Sequence, residues 1–301
     1  MKIMLDAGHH ESTQGKQTVD GYKEHLFNEG VTNHAATLLK SYSNVQVYHA
    51  DDEHYDTPVG VRASKANNLN VDVYVSVHAN AYGSGWNSAN GIETYIHPSH
   101  TEEEMQLAQK IQRNLVSATG LTNRGVKTAD FAVLRETKMT AVLAECGFMT
   151  NQREASLIRT VEYQQKCAAA IVEAIVEQYG LAKSGWSLEN GKWYFYKGGV
   201  RQTGWVLDSN KWYFLDKNGV MQTGWIQDNN KWYYLESSGA MKTGWINDKG
   251  TWYFLRSNGA MATGVIEDKG KLYYLKDDGG LVVNQSVDVT LNANGDGALG
   301  P

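Results

Sequence analysis

Apolar positions follow one rhythm over the first 180 residues and another after it. In the first stretch, short apolar or β-branched runs occupy Lys2–Asp6, Val45–His49, Val71–Val77, Gly91–Ile96, Phe131–Leu134 and Ala141–Ala144. Between them, apolar residues recur at helical spacing over about 22–41, 59–69, 101–119 and 152–178. Short apolar runs read as buried strands, and a 3.6-residue period reads as an amphipathic helix. Strands alternating with helices predict an α/β domain built on a mostly parallel sheet with helices on both faces.

From Gly185 onward the chain repeats itself. Gly185-Trp186, Gly204-Trp205, Gly224-Trp225, Gly244-Trp245 and Gly264-Val265 open successive units, spaced 19, 20, 20 and 20 residues apart. Each unit continues into an aromatic run: Trp193-Tyr194-Phe195, Trp212-Tyr213-Phe214, Trp232-Tyr233-Tyr234, Trp252-Tyr253-Phe254 and the weaker Leu272-Tyr273-Tyr274. A turn such as Asn190-Gly191, Asn229-Asn230 or Lys249-Gly250 precedes each run. Strand residues flanking Asn and Gly turns predict β-hairpins. A hairpin of about 20 residues cannot bury its own apolar face, so the units must stack into an all-β hairpin solenoid. The seam lies near 179–184, which divides the chain into domains 1–181 and 182–301. Beyond Gly280, Val287, Val289 and Leu291 alternate as a last strand would, and 292–301 reads as a loose polar tail.

Composition sharpens this division. Eight of the nine tryptophans lie in the repeats and only Trp86 lies outside them. The net charge of −5 over 301 residues argues against a broad nucleic-acid surface. No run of about 18 apolar residues predicts a membrane span. The N-terminus lacks a signal-peptide pattern, which predicts synthesis in the cytoplasm followed by action elsewhere. Two cysteines, Cys146 and Cys167, make no disulfide framework and read as buried thiols.

The chemistry gathers where predicted strands end. Lys2–Asp6 runs into His9, Val71–Val77 into His78, and Ala141–Ala144 into Glu145. In open α/β sheets the C-terminal strand edge is where ligands bind. Two imidazoles and a carboxylate converging there, with one position left open, form the donor set of a hydrolytic metal site. Spacing leaves the third ligand as Glu145 or Glu24, the latter at the start of the helix after the 11–22 loop. The remaining carboxylate would move protons.

These residues resemble the zinc-dependent N-acetylmuramoyl-L-alanine amidases of the type-3 group. The matching stretches are Leu5-Asp6-Ala7-Gly8-His9, Gly21-Tyr22-Lys23-Glu24, Ser76-Val77-His78-Ala79-Asn80, Asn90-Gly91-Ile92-Glu93-Thr94, Asn123-Arg124-Gly125-Val126-Lys127, Val133-Leu134-Arg135 and Ala144-Glu145-Cys146-Gly147-Phe148-Met149-Thr150-Asn151. The resemblance covers about residues 1–180. It implies Zn2+ held by His9, Glu24 and His78, with Glu145 as the acid/base that takes a proton from water and delivers it to the leaving alanine nitrogen. It implies peptidoglycan as substrate, with Arg124, Arg135 and Asn80 as candidate substrate contacts; ion pairing within the domain is the competing role for both arginines. One departure is His10, where the family carries a second glycine; His10, Glu11 and His25 are neighbours able to compete as ligands. Arg62 reads as structural. Trp86 reads as a cleft wall or an exposed loop anchor.

The repeats resemble choline-binding repeats of cell-wall proteins. That resemblance implies aromatic cages between consecutive hairpins, drawn from Trp193, Trp205, Trp212, Trp225, Trp232, Trp245 and Trp252, with Tyr213, Tyr233, Tyr253 and Met221, Met241, Met261. Such cages hold quaternary ammonium through cation–π attraction, and several in one array would grip choline-decorated teichoic acid multivalently. Related repeats bind glucans or other glycans. The array is also a candidate route to an oligomer. Together these features predict a wall hydrolase of the endolysin or autolysin kind, cutting the amide between N-acetylmuramic acid and L-alanine. The competing readings are a zinc peptidase acting within the stem peptide and a non-catalytic wall adhesin.

Overall fold

The computed structural model describes residues 1–51 and 56–283, and the backbone alone of 292–293 and 299–300. The chain forms two compact units, Met1–Gly185 and Trp186–Pro301. Val287, Val289 and Leu291 lie outside the described residues; Asn292–Ala293 and Leu299–Gly300 form a two-residue antiparallel ladder.

In the first unit the strands are β1 (Lys2–Ala7), β2 (Gln46–His49), β3 (Val73–Asn80), β4 (Ile92–Ile96), β5 (Asn123–Thr128) and β6 (Thr140–Phe148). The helices are α1 (Glu24–Leu39), α2 (Val59–Leu69), α3 (Glu102–Thr119), α4 (Ala132–Glu136), α5 (Gln152–Ile158) and α6 (Val161–Tyr179). The strands form one sheet in the order β2-β1-β3-β6-β4-β5. All neighbours are parallel except β4 and β6, which run antiparallel. Alternation along the strands sorts the side chains to two faces. Ile3, Leu5, Val73, Val75, Val77, Val142 and Ala144 pack with Phe27 and Val31 of α1, Leu107 and Ile111 of α3, and Ile171 and Ile175 of α6. Met4, Tyr74, Ala141 and Leu143 face the other way, where only the short helices α2 and α4 contribute Ala66, Val133 and Leu134. That thinner cover leaves room for a cavity above β6.

Three expectations differ from the observed elements. Phe131–Leu134 is not a strand: Phe131 caps α4, and Val133 and Leu134 are buried on it. An apolar run this short fits either element, and its place beside α2 decides the outcome. The stretch 152–178 is two helices, because Thr160 leaves helical geometry and its side chain accepts from the Tyr163 N–H to start α6. Strand β5 was not anticipated; its sequence Asn-Arg-Gly-Val-Lys-Thr is polar because it forms the sheet edge.

The second unit is a series of antiparallel hairpins. The paired segments are 204–208 with 211–215, 224–228 with 231–235, 244–248 with 251–255, and 264–268 with 271–275. Before them, Gly185–Glu189, Lys192–Lys197 and Val200–Arg201 form a three-stranded sheet. Both residues of each two-residue turn have positive φ, as in Asn229 (47°) and Asn230 (60°). That geometry matches the twist of the flanking strands. Successive hairpins are joined by N–H groups of Met221, Met241, Met261 and Leu281, which donate to the carbonyls of Trp193, Trp212, Trp232 and Trp252 at 2.7–2.9 Å. Rings add to the joints: Trp186, Trp205, Trp225 and Trp245 meet Tyr213, Tyr233, Tyr253 and Tyr273 edge-on at 4.8–4.9 Å.

Candidate catalytic and wall-binding sites

At the C-terminal edge of β1, β3 and β6, a cavity of about 470 Å³ is lined by His9, Glu24, His78, Asn80 and Glu145, with Lys16, Arg62, Phe131 and Val133 among its other walls. His9 follows β1, His78 is carried by β3, Glu145 by β6, and Glu24 opens α1. The ligand atoms of His9, Glu24 and His78 lie within 4.8 Å of one another. Glu24 is 2% exposed. Its Oε1 lies 3.0 Å from His78 Nδ1 and accepts from the Ala79 N–H at 3.2 Å, and its Oε2 lies 3.5 Å from His9 Nε2. Asn28, one turn along α1, donates to the Gly8 carbonyl at 2.9 Å and to Glu24 Oε1 at 3.3 Å. Gly8 is required by space: a Cβ there would sit 2.0 Å from Cε1 of His78.

His9 adopts φ of 64°, an uncommon conformation for a residue with a Cβ. Arg62 holds it there. Buried at 3% exposure, Arg62 donates to the carbonyls of His9 (2.8 Å), Ala7 (2.5 Å) and Thr57 (2.8 Å) and pairs with Asp6 at 2.7 Å. From α2, this one guanidinium fixes the backbone of a candidate ligand that follows β1.

Glu145 carries a buried Oε2 with no hydrogen-bond partner among the described residues. Its burial, reinforced by the negative charges of Glu24 and Glu93 and opposed by His78, pushes its pKa up to about 7. Burial likewise brings His9 down to about 4. His78 resists its own burial because Glu24 hydrogen-bonds it and carries the opposite charge, so its pKa lies above the usual value. Linkage gives these shifts a sign. Between pH 4.5 and 7 the folded state holds the Glu145 proton that the unfolded state has lost, so this group's contribution to stability falls as pH rises. In the metal-free protein, Glu145→Gln removes that penalty. The variant should gain on the order of 3 kcal/mol over the parent at pH 8 and almost nothing at pH 4.5, read as a difference in unfolding midpoint across pH. A pH-independent difference would contradict the assigned protonation.

The other candidates separate. Asn80 lines the cavity and donates to Glu93 Oε2 at 3.0 Å. Arg124 does not line it; it pairs with Glu93, a carboxylate 2% exposed that also accepts from Tyr95 at 2.6 Å and Lys127 at 2.5 Å. Arg135 pairs with Asp130 at 2.7 Å and Glu136 at 3.4 Å, also away from the cavity lining. Both arginines thus stand in the intradomain pairs weighed against a substrate role. His10 turns to Ser12, its Nδ1 at 2.8 Å, and its ring lies 5.4 Å from that of His25; neither belongs to the metal-competent group. Cys146 points into the core, opposite to Glu145. Its hydrogen bond with Cys167, together with burial, holds the thiol well above its usual pKa, so it supplies no thiolate nucleophile. Trp86 is exposed on the loop between β3 and β4.

In the repeats, Trp225, Trp232, Tyr253, Met261 and Asp278 line a pocket of about 270 Å³. One repeat earlier, Trp205 and Tyr233 make the same ring contact and Met241 the same backbone bond to Trp212. One repeat before that, Trp186 meets Tyr213 and Met221 bonds Trp193. Trp245, Trp252 and Tyr273 continue the series, with Leu281 in the methionine position. Sequence reading left out Trp186 and Tyr273. It also left out Asp208, Asp228, Asp248 and Asp268, whose carboxylates accept from the indole N–H of Trp186, Trp205, Trp225 and Trp245 at 3.0–3.3 Å. Those aspartates recur in the last four units, with Glu189 at the equivalent position of the first, and the period itself is the signal that could have found them.

A sheet of this order with a two-histidine, two-carboxylate cluster at its C-terminal edge defines an α/β unit bearing the donor set of a hydrolytic metal site, followed here by a series of β-hairpins. The chain belongs to the N-acetylmuramoyl-L-alanine amidase family, whose model matches residues 3–177, and it carries choline-binding repeats matched at 202–243 and 242–286. It is 33% identical over 178 residues to the N-acetylmuramoyl-L-alanine amidase LytC of Bacillus subtilis, spanning 59% of this chain and 35% of LytC. It is 32% identical over 183 residues to the endolysin of Bacillus phage SPP1, spanning 60% of this chain and 67% of the endolysin. Among solved structures, the amidase of Clostridium difficile 630 superposes with a TM-score of 0.56 at 33% identity, covering 58% of this chain and 95% of that one. The protein is a cell-wall amidase, and no helix of the described residues is long and apolar enough to cross a membrane.

Proposed function

We propose that the protein is a zinc-dependent amidase that cuts between N-acetylmuramic acid and L-alanine and is held on its substrate by choline cages. The observation that carries the catalytic part is the convergence of His9, Glu24 and His78 within 4.8 Å, with Glu145 in the same cavity. Two imidazoles and one carboxylate with a free side toward the cavity suit zinc in a hydrolase. Zinc bound there would supply Lewis acidity toward water and positive charge at the developing oxyanion. Glu145 does the proton work. Its carboxyl group lines the same cavity and can accept a proton from water and return it to the alanine nitrogen, and the burial that raises its pKa in the metal-free site favours holding that proton. Asn80, fixed by Glu93, offers a positioned amide to the substrate. Titration with zinc against a competing chelator tests the site: one equivalent should bind tightly and reversibly, and failure to bind would overturn it.

The cages support the anchoring part. Trp193, Trp212, Trp232 and Trp252 are 42–46% exposed, unlike the more buried Trp186, Trp205, Trp225 and Trp245 that pack hairpin on hairpin. The Trp225–Trp232 rings stand at 84° with centroids 6.5 Å apart, giving two walls of a corner for a trimethylammonium group. Asp278 on the rim of that pocket favours a cation over a neutral glucan. Trp232→Ala should weaken choline binding by about fivefold to thirtyfold at that site. Calorimetric titration checks this, with dextran as the control ligand; equal affinity for dextran would contradict a choline cage.

A further inference from the structure

We propose that Lys16 is a specificity residue that binds a carboxylate of the stem peptide in the catalytic cavity, an assignment that rests on the amidase reading. Two cationic side chains line this cavity, Arg62 and Lys16. Arg62 is committed to Asp6 and to three backbone carbonyls. The Lys16 ammonium has no ion pair or hydrogen bond among the described residues, and the residue is exposed. Of the acids that line the cavity, Asp6 is paired with Arg62 and Glu24 with the two histidines, which leaves Lys16 as the unpaired cation there for an anionic peptide to meet among the described residues. Arg124 and Arg135, the arginines suited by type to that task, are engaged elsewhere by Glu93 and Asp130.

The backbone places Lys16 with some rigor. Its carbonyl accepts from the Glu24 N–H at 3.0 Å, so its Cα is tied to the first residue of α1, itself a candidate metal ligand. The loop then folds back on itself: Gln17 bridges Lys23 in antiparallel fashion, the Thr18 N–H donates to the Tyr22 carbonyl at 2.8 Å, and the Gly21 N–H donates to the Thr18 carbonyl at 2.9 Å. A flexible side chain on a fixed stem can reach a substrate carboxylate without reorganising the site. The positive charge is also close enough to be felt at both His9 and Glu145.

Two synthetic muramoyl peptides, identical except that the stem carboxylates are free in one and amidated in the other, test the assignment on the full-length zinc-loaded protein. The parent should prefer the free acid through a lower KM. Lys16→Gln should raise KM for the free acid by about fivefold, leave kcat within about twofold, and leave the amidated peptide unaffected; Lys16→Arg should restore most of the preference. Equal effects on both peptides, or a change in kcat without a change in KM, would overturn the role of Lys16. Cleavage of neither peptide by the parent would instead overturn the amidase reading and this assignment with it.

Discussion

Glu145→Gln will lower wall hydrolysis by about 10²–10⁴-fold, the range expected when a positioned acid/base is lost. The substitution keeps the shape of the side chain and removes its ability to accept a proton. Its Oε2 is buried and unpartnered, so the neutral amide meets no lost ion pair, and the fold gains stability above pH 7 rather than losing it. Sedimentation with purified walls should show binding unchanged, because the hairpins that hold the cages form a separate compact unit. Turbidity loss of a wall suspension gives the rate. Lysis at the parent rate would exclude Glu145 as the acid/base. It would not revive Cys146, whose thiol is buried against Cys167.

Glu24→Gln will have a comparable effect by a different route. The carboxylate is the anionic member of the donor set and the partner of both histidines. Without it, His78 loses the charge that holds its pKa up, and two neutral imidazoles remain to grip a dication. Zinc affinity should fall by more than about 100-fold, since even residues that only orient a ligand are worth about 10–100-fold. Competition with a fluorescent chelator measures this independently of activity, and hydrolysis should fall in parallel. Parent-like zinc affinity in Glu24→Gln would remove Glu24 from the site.

The two histidines and Glu145 were legible because each sits where an apolar run stops, and a parallel sheet gathers such ends at one edge. Choosing Glu24 as the third ligand required the family resemblance, because strand spacing alone does not place the start of α1. Long strands and helices were readable from their periods, whereas Phe131–Leu134 was not, since four apolar residues fit a helix turn as well as a strand. Strand β5 escaped because its residues serve an exposed edge. The work of Arg62 was invisible for a different reason: it reaches a carbonyl 53 residues away in sequence, and only the packing of α2 beside β1 brings them together. In the repeats, composition revealed the tryptophans but not their division of labour. That division depends on a one-unit offset, in which the ring of one hairpin meets the tyrosine of the next and its indole N–H the following aspartate.

The central claim is the identity of the bond that is cut. Purified choline-bearing cell walls digested to completion should show new free amino groups on L-alanine alone, in amounts equal to the muramic acid released from peptide, with no new reducing sugar ends. New amino termini on any other stem residue, or new reducing ends, would contradict an amidase acting at the muramoyl–alanine bond.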